Sequence, residues 1–257
     1  MSDAPLPRPD LPSDPSGPDR GTAAVVPAAG RGVRLGPGTP KALRVLNGTP
    51  MLIHAVNAMA GSRSVSLVVV VAPADDVARV TSLINEYAPP AGTDVVVVPG
   101  GDTRQESVRR GIEVLPDTIS TVLVHDAARP LVPVETVDAV IEAVRGGSPA
   151  VVPAVPLADT VKQVEPQPEG CPEPVVATPE RARLRAVQTP QGFDRALLAR
   201  AHATVTGDVT DDASMVEQLG VRVVVVPGHE EAFKVTRPLD LVLAEAVLAR
   251  RRANHGF

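Results

Sequence analysis

The sequence predicts a doubly wound α/β domain in which a mostly parallel sheet carries helices on both faces and a β-hairpin arm projects from it. Three observations predict this fold. Short β-branched runs that are apolar along their whole length recur through the chain, as strands covered on both faces do. Stretches with helical spacing separate them, and strand–helix–strand alternation builds parallel sheets. A single proline-rich interval, 156–191, interrupts the alternation.

Residues 1–20 contain six prolines and no aromatic residue, and no helix or strand period. Such a segment cannot bury enough apolar surface to offset its ordering entropy, so a disordered tail is expected there and one domain over 21–257. Strands are expected at Ala23–Val26, Leu67–Val71, Asp94–Val98, Val122–His125, Ala150–Pro153 and Val221–Val226. Helices are expected at Met51–Ala60, Asp75–Tyr87, Thr103–Leu115, Val134–Arg145, Asp194–Ala203, Ala213–Leu219 and Pro238–Arg251. Val134, Val137, Val140, Ile141 and Val144 carry the helical spacing, and Thr103-Arg104-Gln105-Glu106 reads as a capping box. Within 156–191, short β-type pieces at Thr160–Val164, Val175–Ala177 and Leu184–Val187 stand between prolines. An interaction arm and an ordinary long loop both fit that pattern.

At 257 residues and 44% hydrophobic content the chain can bury a substantial core. A formal charge of −5 with interspersed signs argues against nucleic-acid binding, which leaves a basic stripe. Cys171 stands alone, so no internal disulfide forms. No apolar run reaches the roughly 20 residues that cross a bilayer. The N-terminus lacks the basic-then-apolar order of a signal peptide, and a cytoplasmic location is expected.

The chemistry concentrates at the carboxyl ends of the expected strands, where ligands of such sheets bind. After Ala23–Val26 come Pro27, Ala28, Ala29, Gly30 and Gly32, then Arg34 and, after Pro40, Lys41. Small residues let backbone amides approach a polyphosphate, and the cations offset charge that amides alone cannot. The spacing is neither that of a P-loop nor that of a dinucleotide fingerprint, which needs glycine where Leu35 stands. Gly100-Gly101-Asp102 through Ser107 reads either as a glycine turn with a helix cap or as a loop that meets a base or ribose. Asp126, in His125-Asp126-Ala127-Ala128-Arg129-Pro130, either holds a divalent cation that bridges phosphates or pairs with Arg129. His125 reads as structural. Glu231, three residues before Lys234, reads as a solvated charge pair.

In combination these motifs, with Asp159-Thr160, Gln188-Thr189-Pro190-Gln191, Thr210-Asp211-Asp212-Ala213-Ser214 and Lys234-Val235-Thr236, resemble the 2-C-methyl-D-erythritol 4-phosphate cytidylyltransferase family from about Ala23 to Val247. The resemblance implies a Rossmann-like nucleotidyltransferase fold. It also implies Mg²⁺-dependent transfer of CMP from CTP to a sugar-alcohol phosphate, with release of pyrophosphate, on the non-mevalonate route to isoprenoids. It assigns Arg34 and Lys41 to transition-state stabilisation, and Arg181 and Lys234 to positioning the acceptor phosphate. CTP contacts fall on Pro27, Ala28, Ala29, Gly30, Gly32, Gly101, Asp102 and Ser107. Asp126, Arg129, Thr160 and Thr189 fall around the metal and the second substrate, and the arm is exchanged across a homodimer. Two positions depart from the family pattern: Glu231-Ala232 replaces the frequent Asp-Asn, which weakens Glu231 as a metal ligand, and Arg185 stands where a Trp is common.

The residues agree with that chemistry on their own terms. A phosphomonoester, with a second pKa of ~6, is largely ionised near neutral pH and attacks without a general base. The obstacle is repulsion between this dianion and a triphosphate, which fixed cations lower. Three alternatives share parts of the pattern. An acceptor such as ribitol 5-phosphate would need the same groups. Hexose-1-phosphate nucleotidylyltransferases share the glycine-rich start but lack His-Asp-Ala-Ala-Arg-Pro. A non-catalytic CTP-binding module would not need Arg34, Lys41, Arg181 and Lys234.

Overall fold

The computed structural model describes residues 21–30, 40–87, 89–90, 92–207 and 209–254. The expected tail, Gly32 and Arg34 lie outside them. In chain order the elements are β1 (Gly21–Pro27), β2 (Val45–Leu46), β3 (Thr49–Pro50), α1 (Met51–Ala60), β4 (Val65–Ala72), α2 (Val77–Tyr87), β5 (Asp94–Pro99), α3 (Arg104–Glu113), β6 (Ile119–Val124) and α4 (Val134–Arg145). Then follow β7 (Ala150–Pro156), β8 (Gln163–Val164), β9 (Val175–Ala177), β10 (Arg185–Val187), β11 (Gln191–Asp194), α5 (Arg195–Thr204), α6 (Asp212–Gln218), β12 (Val224–Pro227) and α7 (Pro238–Asn254).

Eight strands form the main sheet in the order β10-β7-β11-β6-β1-β4-β5, with β12 also paired to β7. The pairs β1–β4, β1–β6, β4–β5 and β7–β12 are parallel. Because side chains alternate across a strand, neighbouring residues of β1 and β4 go to opposite faces. Ala24, Val26, Val68 and Val70 pack against α1, α2 and α4, and Ala23, Val25, Val69 and Val71 against α3, α5 and α6. That two-sided burial explains why the strands carry no polar alternation. From β1 the chain runs to β4 and β5, then returns to place β6 on the other edge of β1. The crevice opens at this reversal of direction.

The structure corrects several expectations. β11 was not expected, since Gln191-Gly192-Phe193 shows no strand pattern; it inserts antiparallel between β6 and β7, with Gly192 opposite both Leu123 and Val151. β10 belongs to the main sheet through its pairing with β7, so the arm hairpin consists of β8 and β9 alone. The last strand is Val224–Pro227 rather than Val221–Val226, and the helix expected at Ala213–Leu219 begins at Asp212, capped by the Asp211 side chain. The short β2–β3 hairpin also went unread. Its Asn47-Gly48 turn has φ of 49° and 83°, the left-handed pair that a two-residue hairpin requires. Beside it a small separate core joins Leu46, Met51 and Leu131 to Val235, Ala244 and Val247, so α7 packs over the segment that carries Lys234. No helix among the described residues is long and apolar enough to cross a membrane.

α3 approaches the sheet at Gly111, where an added Cβ would stand 2.5 Å from Val25 Cγ1 and 3.0 Å from Val71 Cγ2. Overpacking of this kind costs about 1–3 kcal/mol, while alanine gains about 1 kcal/mol of helix propensity over glycine. Gly111→Ala is therefore expected to lower the urea midpoint without changing the slope of the transition. An unchanged or higher midpoint would show that α3 shifts freely on the sheet.

Candidate active site

Three loops leave the carboxyl edge of the sheet while still bonded to a neighbouring strand. The amide of Ala28 donates to Val71 O at 2.8 Å, that of Gly100 to Ala72 O at 2.7 Å and that of His125 to Val25 O at 2.9 Å. Between them lies an open cleft of about 200 Å³. Its walls are Pro27, Ala28, Ala29 and Gly30; Lys41 and Ala42; Gly101 to Arg104 and Ser107; Asp126 to Ala128; and Lys234. The cleft thus gathers the expected CTP residues that fall among the described residues with Lys41, Lys234 and Asp126.

The Gly100–Ser107 turn is built from inside. Ser107 is buried; its hydroxyl donates to Thr103 O at 2.9 Å and accepts from the Gly101 amide at 3.1 Å. Thr103 caps α3 by accepting from the Glu106 amide at 3.0 Å. The capping box is altered, because the Glu106 carboxylate accepts from the Asp102 amide at 2.8 Å and pairs with Arg110 at 2.5 Å. Arg110 also donates to Gly100 O at 2.7 Å. A Cβ at Gly101 would meet the Glu106 side chain, so any larger residue there would displace the carboxylate that braces the loop.

Asp126 is the charge centre of the cleft. Lys234 Nζ stands 2.8 Å from its Oδ2, Arg104 Nη2 3.6 Å from its Oδ1 and Arg129 Nε 3.9 Å from its Oδ2. Burial pushes its carboxyl up, but Lys234, Arg104 and Arg129 outweigh burial and bring it down to about 2. At neutral pH Asp126 is therefore an anion and a weak base. Its amide donates to Thr189 Oγ1 at 3.0 Å, and that hydroxyl also meets His125 Nδ1 at 3.0 Å. His125 Nε2 lies 3.1 Å from Arg129 O. His125 is fully buried, and burial pushes it down to about 4, against the pull of Asp126. It is structural, as its sequence context indicated.

Other expected site residues lie elsewhere. Thr189 is outside the cleft wall and serves through its hydroxyl to place Asp126. Arg129 clamps the Lys234 segment to β10 by donating to Ala232 O at 2.7 Å and Val187 O at 3.2 Å; its contact with Asp126 is the longest of the three. Thr160 and Arg181 are exposed on the arm, where Arg181 donates to Ala158 O at 2.6 Å, and neither lines the cleft of its own chain. Glu231 is not a solvated partner of Lys234: its carboxylate is taken by Arg250 and Arg251 of α7, away from Asp126. Arg104 was not singled out by sequence, although a cation at the first position of a helix is a signal, since it opposes the macrodipole.

A glycine-walled cleft with fixed cations around one ionised carboxylate, at the switch point of a parallel sheet, defines a nucleotide-binding α/β protein. The sequence profile of the 2-C-methyl-D-erythritol 4-phosphate cytidylyltransferase family matches residues 22–250. The proteins of that name from Streptomyces avermitilis and Streptomyces coelicolor are 78% and 80% identical; the alignments cover 95% and 92% of this chain and 98% and 88% of theirs. The solved structure of the Thermus thermophilus protein of that name has a TM-score of 0.69 at 38% identity, covering 88% of this chain and 98% of that one. The chain belongs to this family.

The buried His125 sets a pH dependence of stability. Its folded pKa, about 4, lies below the ordinary 6.5. As pH falls through 6.5 the unfolded chain takes up a proton that the folded chain refuses, so stability present above that pH is lost down to about 4. Between about pH 7.5 and about pH 5 this one group is expected to remove about 2 kcal/mol. His125→Asn is expected to flatten that part of the loss in urea titrations at the two pH values. An equally steep loss in the variant would assign the dependence to other groups.

Proposed function

We propose that the protein transfers CMP from CTP to 2-C-methyl-D-erythritol 4-phosphate, giving 4-diphosphocytidyl-2-C-methyl-D-erythritol and pyrophosphate. One observation carries the reading: the glycine loop after β1, the Gly101–Ser107 turn and the Asp126–Lys234 pair converge on a single cleft. Family membership supplies the substrate class. An acceptor phosphate oxygen attacks the α-phosphorus of CTP; the new P–O bond forms as the bond to the β-phosphate oxygen breaks, and pyrophosphate leaves with that electron pair. The attacking group is already ionised, so no base is needed, which suits an Asp126 too weak to be one. Lys41 and Lys234 face the cleft and offset the charge brought together there. Arg34, which the resemblance places beside them, lies outside the described residues.

Mg²⁺ fits this donor set in a limited way. Among the described residues no three His, Cys, Asp or Glu side chains cluster to hold a metal. Mg²⁺ often binds through one or two carboxylates plus substrate phosphates, and Asp126, ionised and with Arg104 no nearer its Oδ1 than 3.6 Å, suits that role. Glu231, committed to Arg250 and Arg251, does not. When bound, the ion would neutralise phosphate charge.

The arm supports a homodimer. Val175 and Val176 are 57% and 55% exposed on β9, and Arg181 is not among the described residues that line the cleft of its own chain. In our reading Arg181 completes the partner's site, where its planar fork meets the acceptor phosphate.

Pyrophosphate release is expected with 2-C-methyl-D-erythritol 4-phosphate and CTP, and little with ATP, GTP or UTP. Ribitol 5-phosphate turning over faster would transfer the reading to that acceptor, and no release with any pair would remove it. The arm has its own test. Lys41→Ala and Arg181→Ala dimers are each expected to be nearly inactive, whereas random re-pairing of an equal mixture restores one intact site in half of the dimers, about a quarter of wild-type activity. Mixtures as inactive as their parents would place Arg181 in its own chain's site.

A further inference from the structure

Arg104 opens α3, where the helix macrodipole disfavours a cation. Two carboxylates offset this. Arg104 Nη1 lies 2.8 Å from Asp212 Oδ2, and Nη2 lies 3.6 Å from Asp126 Oδ1. Asp212 is fully buried, and His202 Nε2 meets its Oδ1 at 3.0 Å. Burial pushes the Asp212 carboxyl up, but the His202 hydrogen bond and the Arg104 charge outweigh it and hold it below its ordinary value. Gln191 fixes the start of α6 on either side of Asp212: its Nε2 donates to Asp211 Oδ2 at 2.7 Å, and its Oε1 accepts from the Ala213 amide at 3.1 Å. Asp212 therefore cannot follow Arg104, and Arg104 cannot turn to solvent without stranding a buried anion.

The distances around Asp126 are unequal for a reason. A guanidinium free to meet a carboxylate closes to about 2.7–2.9 Å and often grips both oxygens. Here Arg104 makes that close contact with Asp212 and stops 3.6 Å short at Asp126, whose tightest partner is Lys234 at 2.8 Å. We propose that Arg104 is a positioning residue for the transfer reaction: fixed by the buried Asp212–His202 pair, its guanidinium stands at Asp126 Oδ1 and orients the carboxylate so that Oδ2 keeps Lys234 aimed into the cleft. Without the Asp212 charge, Arg104 closes on Oδ1 and turns the Asp126 carboxylate, which moves Lys234; without Arg104 the carboxylate loses its hold on that side. This rests on the cytidylyl-transfer reading for its activity measurements and on coordinates alone for its structural one.

The experiment compares the full-length wild type, Arg104→Gln, Asp212→Asn and the double variant for pyrophosphate release from CTP and 2-C-methyl-D-erythritol 4-phosphate. A crystal structure of Asp212→Asn is determined beside them. Each single variant is expected to lower kcat about 10-fold or more with KM for CTP within about 2-fold, since misplacing a catalytic group by about 1 Å is that costly. The double variant is expected to be no slower than Arg104→Gln, because the two act as one unit. In the Asp212→Asn crystal Arg104 is expected within about 3 Å of Asp126. Losses that multiply, a loss confined to the KM for CTP, or an Arg104 unmoved in the crystal would each overturn the proposal. If Asp212→Asn does not fold, Arg104→Gln decides: lost kcat partly recovered by Arg104→Lys supports the role, and unchanged kcat overturns it. A wild type inactive with every acceptor would count against the reaction, while the crystal would still decide the Arg104 geometry.

Discussion

The partly buried negative charge of Asp126 sets the arrangement of the cleft. A carboxylate out of water is costly unless cations and hydrogen-bond donors meet it. Here three elements answer that demand: α3 through Arg104, the turn after β6 through Arg129, and the segment before α7 through Lys234. The amide of Asp126 is tied to Thr189, and Thr189 to His125, so the next layer is fixed as well. Cations that would repel one another in an empty cleft are thereby held ready for a more highly charged ligand. Arg129 and Thr189 brace this centre: Arg129 bonds Ala232 O and Val187 O, and Thr189 meets the Asp126 amide and His125.

Behind the cleft the sheet supplies rigidity at low cost. Both faces of β1 and β4 are apolar and covered, so the strands whose ends carry the loops cannot slip by one residue without turning a row of valines to the wrong helices. The loops extend that register into the site, each by one backbone hydrogen bond to the adjacent strand. The arm is different in kind. Its strand β9 carries two exposed valines, and its closest polar contacts, Lys162 to Thr178 at 2.8 Å and Arg181 to Ala158, remain within the arm itself.

Most elements that bury a long apolar face were legible in the sequence. The boundaries of α1 and α4 fall at Met51–Ala60 and Val134–Arg145, as expected from the sequence, and the glycine-rich stretch after β1 and the Asp126 motif were visible as breaks after apolar runs. β11 was not legible, because Gln191-Gly192-Phe193 owes its strand conformation to the gap it fills between β6 and β7. Gly192 is there for room: a Cβ would stand 2.5 Å from Val140 Cγ1 of α4. No local pattern encodes a clearance against a helix some fifty residues earlier.

What the sequence by itself determined is the alternation of strands and helices, the glycine-rich turns and the kinds of charge available at the strand ends. All of these follow from periodicity, backbone freedom and residue type within a few neighbouring positions. Only the tertiary structure decided which charges meet. Glu231 and Lys234 are three residues apart, yet Glu231 turns to Arg250 and Arg251 while Lys234 turns to Asp126. Arg104 and Asp212, more than a hundred residues apart, form the tightest pair Arg104 makes. Charge pairing is settled by distance in space and by the scarcity of water around each group, and both exist only once the sheet has brought its strand ends together.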